Sequence, residues 1–457
     1  MSFIDYLIKF NEIIDSLPTV IVFFVASTFL FPLARYVFPH IKSVTTQASI
    51  HLIYGLVLTF LLFKSDIIYC ILMATLTYFG VRYGSILVST IIATISLVIA
   101  LLIVQLRPIN WALDITGITM VMFLKAISLS FNLSDGQKKK SGKKLARPVW
   151  EDLCVYECPS IFLYFAYLFT PYGSFSNPFI EFKPFMFILK SGERYGKVKV
   201  HPEDHKFAVR RFFGAFVWAG ISYVAMDVIT WDTTYGADWY KRSPVIIRPF
   251  ICAILQTILV TRYYPAWWMV ESGLYEFGLG HSGIGSLEFD HFSNMSLFET
   301  MFSPTSNEFM RRWNHTTHLF WKNYLFTRLL DAGYGKQFSN MMVFFCSMLW
   351  HGFKFTFLGV LPEAFLTMKA DELWNKKFPQ TSETSVFVLA LHHLYVFTSI
   401  MYFMSSWYYP DFAHFIYIRK SVWLLPDIVA VLIIVLVMIW PKKKGKINEK
   451  GDIKKNN

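Results

Sequence analysis

Two stretches of this chain gather polar groups suited to general-base and hydrogen-bonding chemistry. The first is "CSMLWHGFKFTFLG", residues 346–359. Nine of the ten residues from Met341 to Trp350 are apolar, counting Cys346, and then come His351, Gly352 and, three positions past the histidine, Lys354. An imidazole at bilayer depth finds no partner in lipid, so a histidine there reads as functional or specifically paired. The second stretch is "RRWNHTTHLFWKNYLFTRLL", residues 311–330, which opens on Trp313 and Asn314. Tyr324, Phe326 and Arg328 follow Asn314 by 10, 12 and 14 residues, and His351 lies 37 residues beyond it. Activating a hydroxyl needs a base beside it, and any carbonyl addition that follows needs donors where the oxyanion develops. His351 suits the first task. Asn314 suits the second, or holds the acceptor in place.

The neighbours of these two residues read more evenly. Tyr324 and Arg328 are four apart and share a helix face, where they serve either packing or substrate contact. Trp313 and Trp350 flank the two principal residues. Glu271, in the aromatic stretch "RYYPAWWMVESG" (262–273), reads as a buried polar partner or a contact to substrate. Arg311, Arg312, Lys322, Arg328 and Lys354 are candidate cations for a phosphate-bearing ligand or a membrane interface.

These groups need a membrane scaffold, and the composition provides one. The 457 residues are 54% hydrophobic and 18% aromatic but only 16% charged, with a mean hydropathy of +0.42. A soluble chain carries roughly a quarter charged residues. Apolar runs near the roughly 20-residue spanning length fall at 17–38, 48–64, 67–82, 86–106, 112–131, 207–230, 244–262, 338–361, 385–408 and 421–440, with shorter ones near 160–172 and 263–280. The expected fold is all-α: a polytopic transmembrane bundle of nine to eleven spans with interfacial and re-entrant helices. Residues 1–440 read as one membrane domain and 441–457 as a basic cytosolic tail. The opening "MSFIDYLIKF" has an early acidic residue and no small-residue cleavage site, which argues against a cleaved signal peptide.

Net charge is +12, gathered in "KKKSGKKLAR" (138–147) and "KKKGKINEKGDIKK" (442–455). Such runs mark cytosolic loops and contacts to anionic headgroups rather than nucleic-acid binding. The ending "KKNN" places Lys454 and Lys455 as a dilysine signal for return to the endoplasmic reticulum. Cys70, Cys154, Cys158, Cys252 and Cys346 have no framework spacing, and no metal site is expected. Asn294 and Asn314 lie in N-x-S/T sequons. Two rival classes read less well. His315/His318 and His392/His393 do not build the histidine boxes of a di-iron desaturase, and no broken-helix pair recurs in two halves as in many transporters.

A Trp-Asn pair, then Tyr-x-aromatic-x-Arg, then Trp-His-Gly in an apolar run resembles the membrane-bound O-acyltransferases, and most closely their lysophospholipid acyltransferase branch. The resemblance covers most of the chain after residue 150. After His-Gly this chain reads "FKFTF" where many phospholipid-acting members have a Pro-Gly-Tyr-like stretch. The resemblance implies an endoplasmic reticulum enzyme that moves a long-chain fatty acyl group from acyl-CoA to the free hydroxyl of a lysophospholipid. Acyl-CoA is a co-substrate and no cofactor is implied. His351 would be the general base and Asn314 its catalytic companion, with Trp313, Tyr324, Arg328, Trp350 and Glu271 lining the substrates. Other members of the family acylate sterols, diacylglycerol or secreted proteins, so another lipid or a protein is the alternative acceptor. The sequence assigns neither headgroup nor oligomeric state.

Overall fold

The computed structural model describes residues 18–106, 114–175, 178–194, 202–280, 292–353, 355–381, 384–409 and 411–439. Lys354 and the tail from 441, with Lys454 and Lys455, lie outside the described residues. The described chain is helical throughout, with no strand. Its principal helices are α1 (Thr19–Ser27), α2 (Val44–Phe63), α3 (Ile67–Tyr83), α4 (Ile86–Gln105), α5 (Ile115–Lys140) and α6 (Ile161–Phe169). They continue as α7 (Pro202–Val228), α8 (Arg248–Val260), α9 (Tyr264–Glu276), α10 (Ser306–Arg312) and α11 (His315–Trp321). The last five are α12 (Lys336–His351), α13 (Phe355–Lys377), α14 (Val386–Tyr408), α15 (Phe412–Ser421) and α16 (Leu425–Ile439).

Side-chain caps set the helix starts. The Ser43 hydroxyl accepts from the Thr46 N–H at the head of α2, Ser85 does the same for Val88 before α4, and an Asp114 carboxylate oxygen accepts from Thr116 at the head of α5. Lys64, at φ 50°, breaks the run Val44–Tyr83 into α2 and α3, matching the two apolar runs in the sequence.

Among the described residues, six helical segments are long and apolar enough to cross a membrane, or seven when α15 and α16, bent by 60°, count as one broken span. The expected nine to eleven exceeds this because several apolar runs fold differently. Val44–Tyr83 counts as one 40-residue segment although it contains two helices. The run 338–361 is interrupted at Gly352. The run 207–230 lies in α7, whose N-terminal half carries Glu203, Asp204, Lys206, Arg210 and Arg211.

The interior element is α5. In its most apolar window 78% of residues are buried, against 28–50% in the other spans. It therefore carries polar groups that lipid would not tolerate: Lys125, Asn132 and Asp135 are all buried. Two large apolar clusters fill the bundle. One joins α2–α6 to Phe320, Trp321, Tyr324 and Trp350. The other joins α8 and α9 to α13–α16 and contains Phe309, Met348 and Phe357.

Candidate active site

His351 is the last residue of α12, and Gly352 is what ends the helix. Gly352 adopts φ 116°, ψ 173°, a region essentially confined to glycine. The apolar run of the sequence therefore does not continue as one helix past the histidine; it stops there, and a new helix begins at Phe355. The imidazole is partly buried and sits edge-on to Trp350 and to Phe357, with ring centres 4.7 and 6.3 Å away. Trp350 is fixed in turn. Its indole N–H donates to the Met120 carbonyl of α5 at 3.0 Å, and its ring meets Trp321 edge-on at 6.2 Å.

Asn314 stands just before α11, whose C-terminal residue is that same Trp321. Seven helical residues, roughly 10 Å of axial rise, therefore link Asn314 to the aromatic pair that holds the histidine helix. Asn314 has φ 45° and ψ 53°, a left-handed conformation that few non-glycine residues adopt and that asparagine tolerates best. Trp313 packs between Tyr263, Trp267 and Phe309, with ring centres 5.9, 5.8 and 6.1 Å away. It leans on the apolar cluster that also holds Met348 and Phe357, on either side of His351.

Glu271 is fully buried on α9 and faces Arg211 of α7 at 3.1 Å. It accepts from the Tyr275 hydroxyl at 3.2 Å and from the Asn294 backbone N–H at 2.6 Å. The carboxylate thus ties the 292–296 segment to the bundle. Asn294 is itself wholly buried. The sequon there is unusable in the folded protein, because an oligosaccharide needs an exposed amide.

Tyr324 lies in a π-helical turn, Lys322–Phe326, a feature frequent at functional sites. Its hydroxyl bonds to Asn132 of α5 at 2.9 Å and to Glu181. Burial pushes the Glu181 carboxyl, outside the spanning helices, up to about 7, against the opposing pull of Tyr324, Asn132 and Arg328. Arg328 grips Asp135 with both terminal nitrogens, and its guanidinium lies 3.5 Å from the Trp150 ring centre. Both side chains expected at the substrate are thus held by α5 and the 150–181 segment. Of the other cations, Arg311 and Arg312 share Glu308, with nitrogen–oxygen distances of 2.5 and 2.7 Å, and Lys322 is exposed. The histidines of the two pairs diverge: His315 Nδ1 meets the Arg311 carbonyl at 2.8 Å, while His392 Nε2 meets Asp371 at 2.8 Å.

The sequence reading missed several buried polar groups. Lys125 donates to the Tyr167 carbonyl and the Ser174 hydroxyl, both at 2.7 Å. His51 Nδ1 lies 2.7 Å from the Thr170 hydroxyl. Each breaks an otherwise apolar run, the signal that singled out His351. Asn132 and Asp135, one turn apart, also signalled a polar face on α5. Asp371 accepts from the Ser306 backbone N–H at 2.9 Å and so anchors the start of α10; nothing in the sequence spacing marked that pair.

The family model of the membrane-bound O-acyltransferases matches residues 76–407. The chain is 23% identical over 262 residues to lysophospholipid acyltransferase 6 of Drosophila melanogaster, covering 53% of this chain and 35% of that one. It is 22% identical over 254 residues to a Schizosaccharomyces pombe lysophospholipid acyltransferase, covering 52% and 48% of the two chains. It is also 22% identical over 346 residues to lysophospholipid acyltransferase 2 of Arabidopsis thaliana, covering 72% and 73%. The match thus spans about a third to a half of the first two relatives and about three quarters of the third. With the match running from α3 to α14, across both the Asn314 turn and the His351 helix end, the chain belongs to the membrane-bound O-acyltransferase family.

Proposed function

We propose that the protein transfers a long-chain fatty acyl group from acyl-CoA to the free hydroxyl of a lysophospholipid. His351 takes the hydroxyl proton as the oxygen attacks the thioester carbonyl. The tetrahedral oxyanion collapses, the carbon–sulfur bond breaks, and the coenzyme A thiolate leaves and recovers the proton from the imidazolium. Asn314 orients the acceptor or stabilises the oxyanion. Direct transfer uses no acyl-enzyme. The imidazolium forms at the C-terminal end of α12, where the helix dipole favours positive charge.

The observation that supports this reading is that the two motifs border the same packing: Trp350 meets Trp321 of the helix that Asn314 precedes, and Trp313 packs on the cluster that holds Met348 and Phe357. A glycine-terminated helix delivers His351, and a left-handed turn presents Asn314. We further propose residence in the endoplasmic reticulum with the basic 442–455 run on the cytosolic side, on the strength of its lysines. The function is tested by incubating membranes that contain the protein with an acyl-CoA and a mixed lysophospholipid panel, followed by lipid mass spectrometry. Diacyl product above the level of membranes lacking the protein is expected; acyl transfer to a different lipid class or to a protein would refute the acceptor.

A further inference from the structure

The left-handed backbone of Asn314 needs an outside constraint, because nothing in the short helix it precedes imposes it. On the upstream side the Trp313 N–H bonds to the Phe309 carbonyl at 2.8 Å and closes α10. On the downstream side the backbone N–H groups of the next two residues both donate to one amino acid. The His315 N–H donates to the Asn294 backbone carbonyl at 2.9 Å. The Thr316 N–H and the Thr316 hydroxyl donate to Asn294 Oδ1 at 3.2 and 3.0 Å. Asn294 is held in turn by Glu271 through its own N–H at 2.6 Å, and Glu271 by Arg211 at 3.1 Å. The Thr316 hydroxyl also accepts from the Phe179 N–H at 2.8 Å, which keeps its proton directed at Asn294.

Asn294 is an expensive choice for a merely structural contact. Its side chain is wholly buried, and Nδ2 has no hydrogen-bond partner among the described residues. A buried donor left unmade costs stability, and such groups in a native protein call for a reason beyond packing. The acceptor half of the amide supplies one, since it receives two of the three bonds that join His315 and Thr316 to Asn294.

We propose that Asn294 is a positioning residue for acyl transfer. Backed by Glu271 and Arg211, it clamps His315 and Thr316 and so sets the direction of the Asn314 side chain. This rests on the acyl-transfer reading of Asn314 and His351. The clamp lies 20 residues upstream of Asn314 in sequence and acts through two neighbours, without touching substrate.

The test uses the full-length protein, purified in detergent, with an acyl-CoA and the lysophospholipid that wild type acylates best. Asn294→Ala removes the acceptor from one side of the clamp and Thr316→Val removes the donor from the other, while Thr316→Ser retains the hydroxyl. Turnover is measured per folded molecule in the monodisperse fraction. Misplacement of about 1 Å costs about 10²-fold, so Asn294→Ala and Thr316→Val are expected to lose about 10- to 100-fold in kcat while both KM values change less than about twofold. Thr316→Ser should recover to within about threefold of wild type, the hydroxyl being intact. Amide exchange at His315 and Thr316 should quicken in Asn294→Ala. A stabilising contact alone would lower the yield and melting temperature and leave kcat of the folded fraction unchanged; that result, or a failure of Thr316→Ser to rescue, overturns the clamp. A wild-type protein that forms no product with any lysophospholipid overturns the acyl-transfer reading instead, a result distinct from active wild type with equally active clamp variants.

Discussion

Gly352→Ala is the sharpest probe of how the backbone delivers His351. At φ 116°, ψ 173° an alanine sits in a region that L residues essentially avoid. Space is not the obstacle, because the nearest atom to an added Cβ is Leu101 Cδ2 at 3.8 Å. The penalty is therefore backbone strain, of about 1–3 kcal/mol. The chain has two responses. If the backbone holds, that strain appears as lost stability. If it relaxes, the end of α12 turns and carries His351 away from its place, and a shift of about 1 Å suffices for about 10²-fold in rate. Gly335, at the other end of the same helix, is the control. Its φ is −67° and an added Cβ meets nothing within 4 Å, so Gly335→Ala should match wild type. Turnover and detergent melting temperature are measured side by side for the three proteins. If Gly352→Ala keeps wild-type values of both, the glycine does not set the helix end and the positional account of His351 is wrong.

Three other outcomes are expected. Arg328→Ala leaves the buried Asp135 with only Lys138, at 3.7 Å, and should cost about 1–3 kcal/mol, whereas Arg328→Met with Asp135→Leu should recover most of it; the melting temperatures of the single and double variants decide this. Glycosidase treatment should leave the electrophoretic mobility of an Asn314→Gln variant unchanged, because the other two sequons, at Asn132 and Asn294, are both buried. Lys354→Glu should raise KM for acyl-CoA more than KM for the lysophospholipid, and equal increases would show that Lys354 does not serve the donor.

The helical membrane fold was legible because apolar runs near bilayer length admit few alternatives. The count of spans was not, because the criterion of an apolar run is blind to backbone breaks. Gly352 interrupts a run through its dihedral angles, which leave no mark on hydropathy, whereas the break at Lys64 coincides with the gap between two apolar runs. His351 and Asn314 stood out through residue type and spacing. Their neighbours were harder to assign: Tyr324 and Arg328 looked equally suited to substrate and to packing. Their bonds to Asn132, Glu181 and Asp135 join segments up to 193 residues apart, a distance that local patterns cannot bridge. Glu271 had two readings, buried polar partner or substrate contact, and in the structure it faces Arg211 at 3.1 Å. Its downstream contact, Asn294, carried no sequence mark beyond its sequon.

The central claim is that His351 is the general base of acyl transfer, and its most direct test is single-site replacement in purified, monodisperse protein assayed with acyl-CoA and lysophospholipid. Losing a general base costs about 10²–10⁴ in rate, so His351→Ala should show that loss in kcat with the fold and melting temperature retained. Well-folded His351→Ala protein that keeps more than about a tenth of wild-type turnover, outside the range for a lost base, would contradict it.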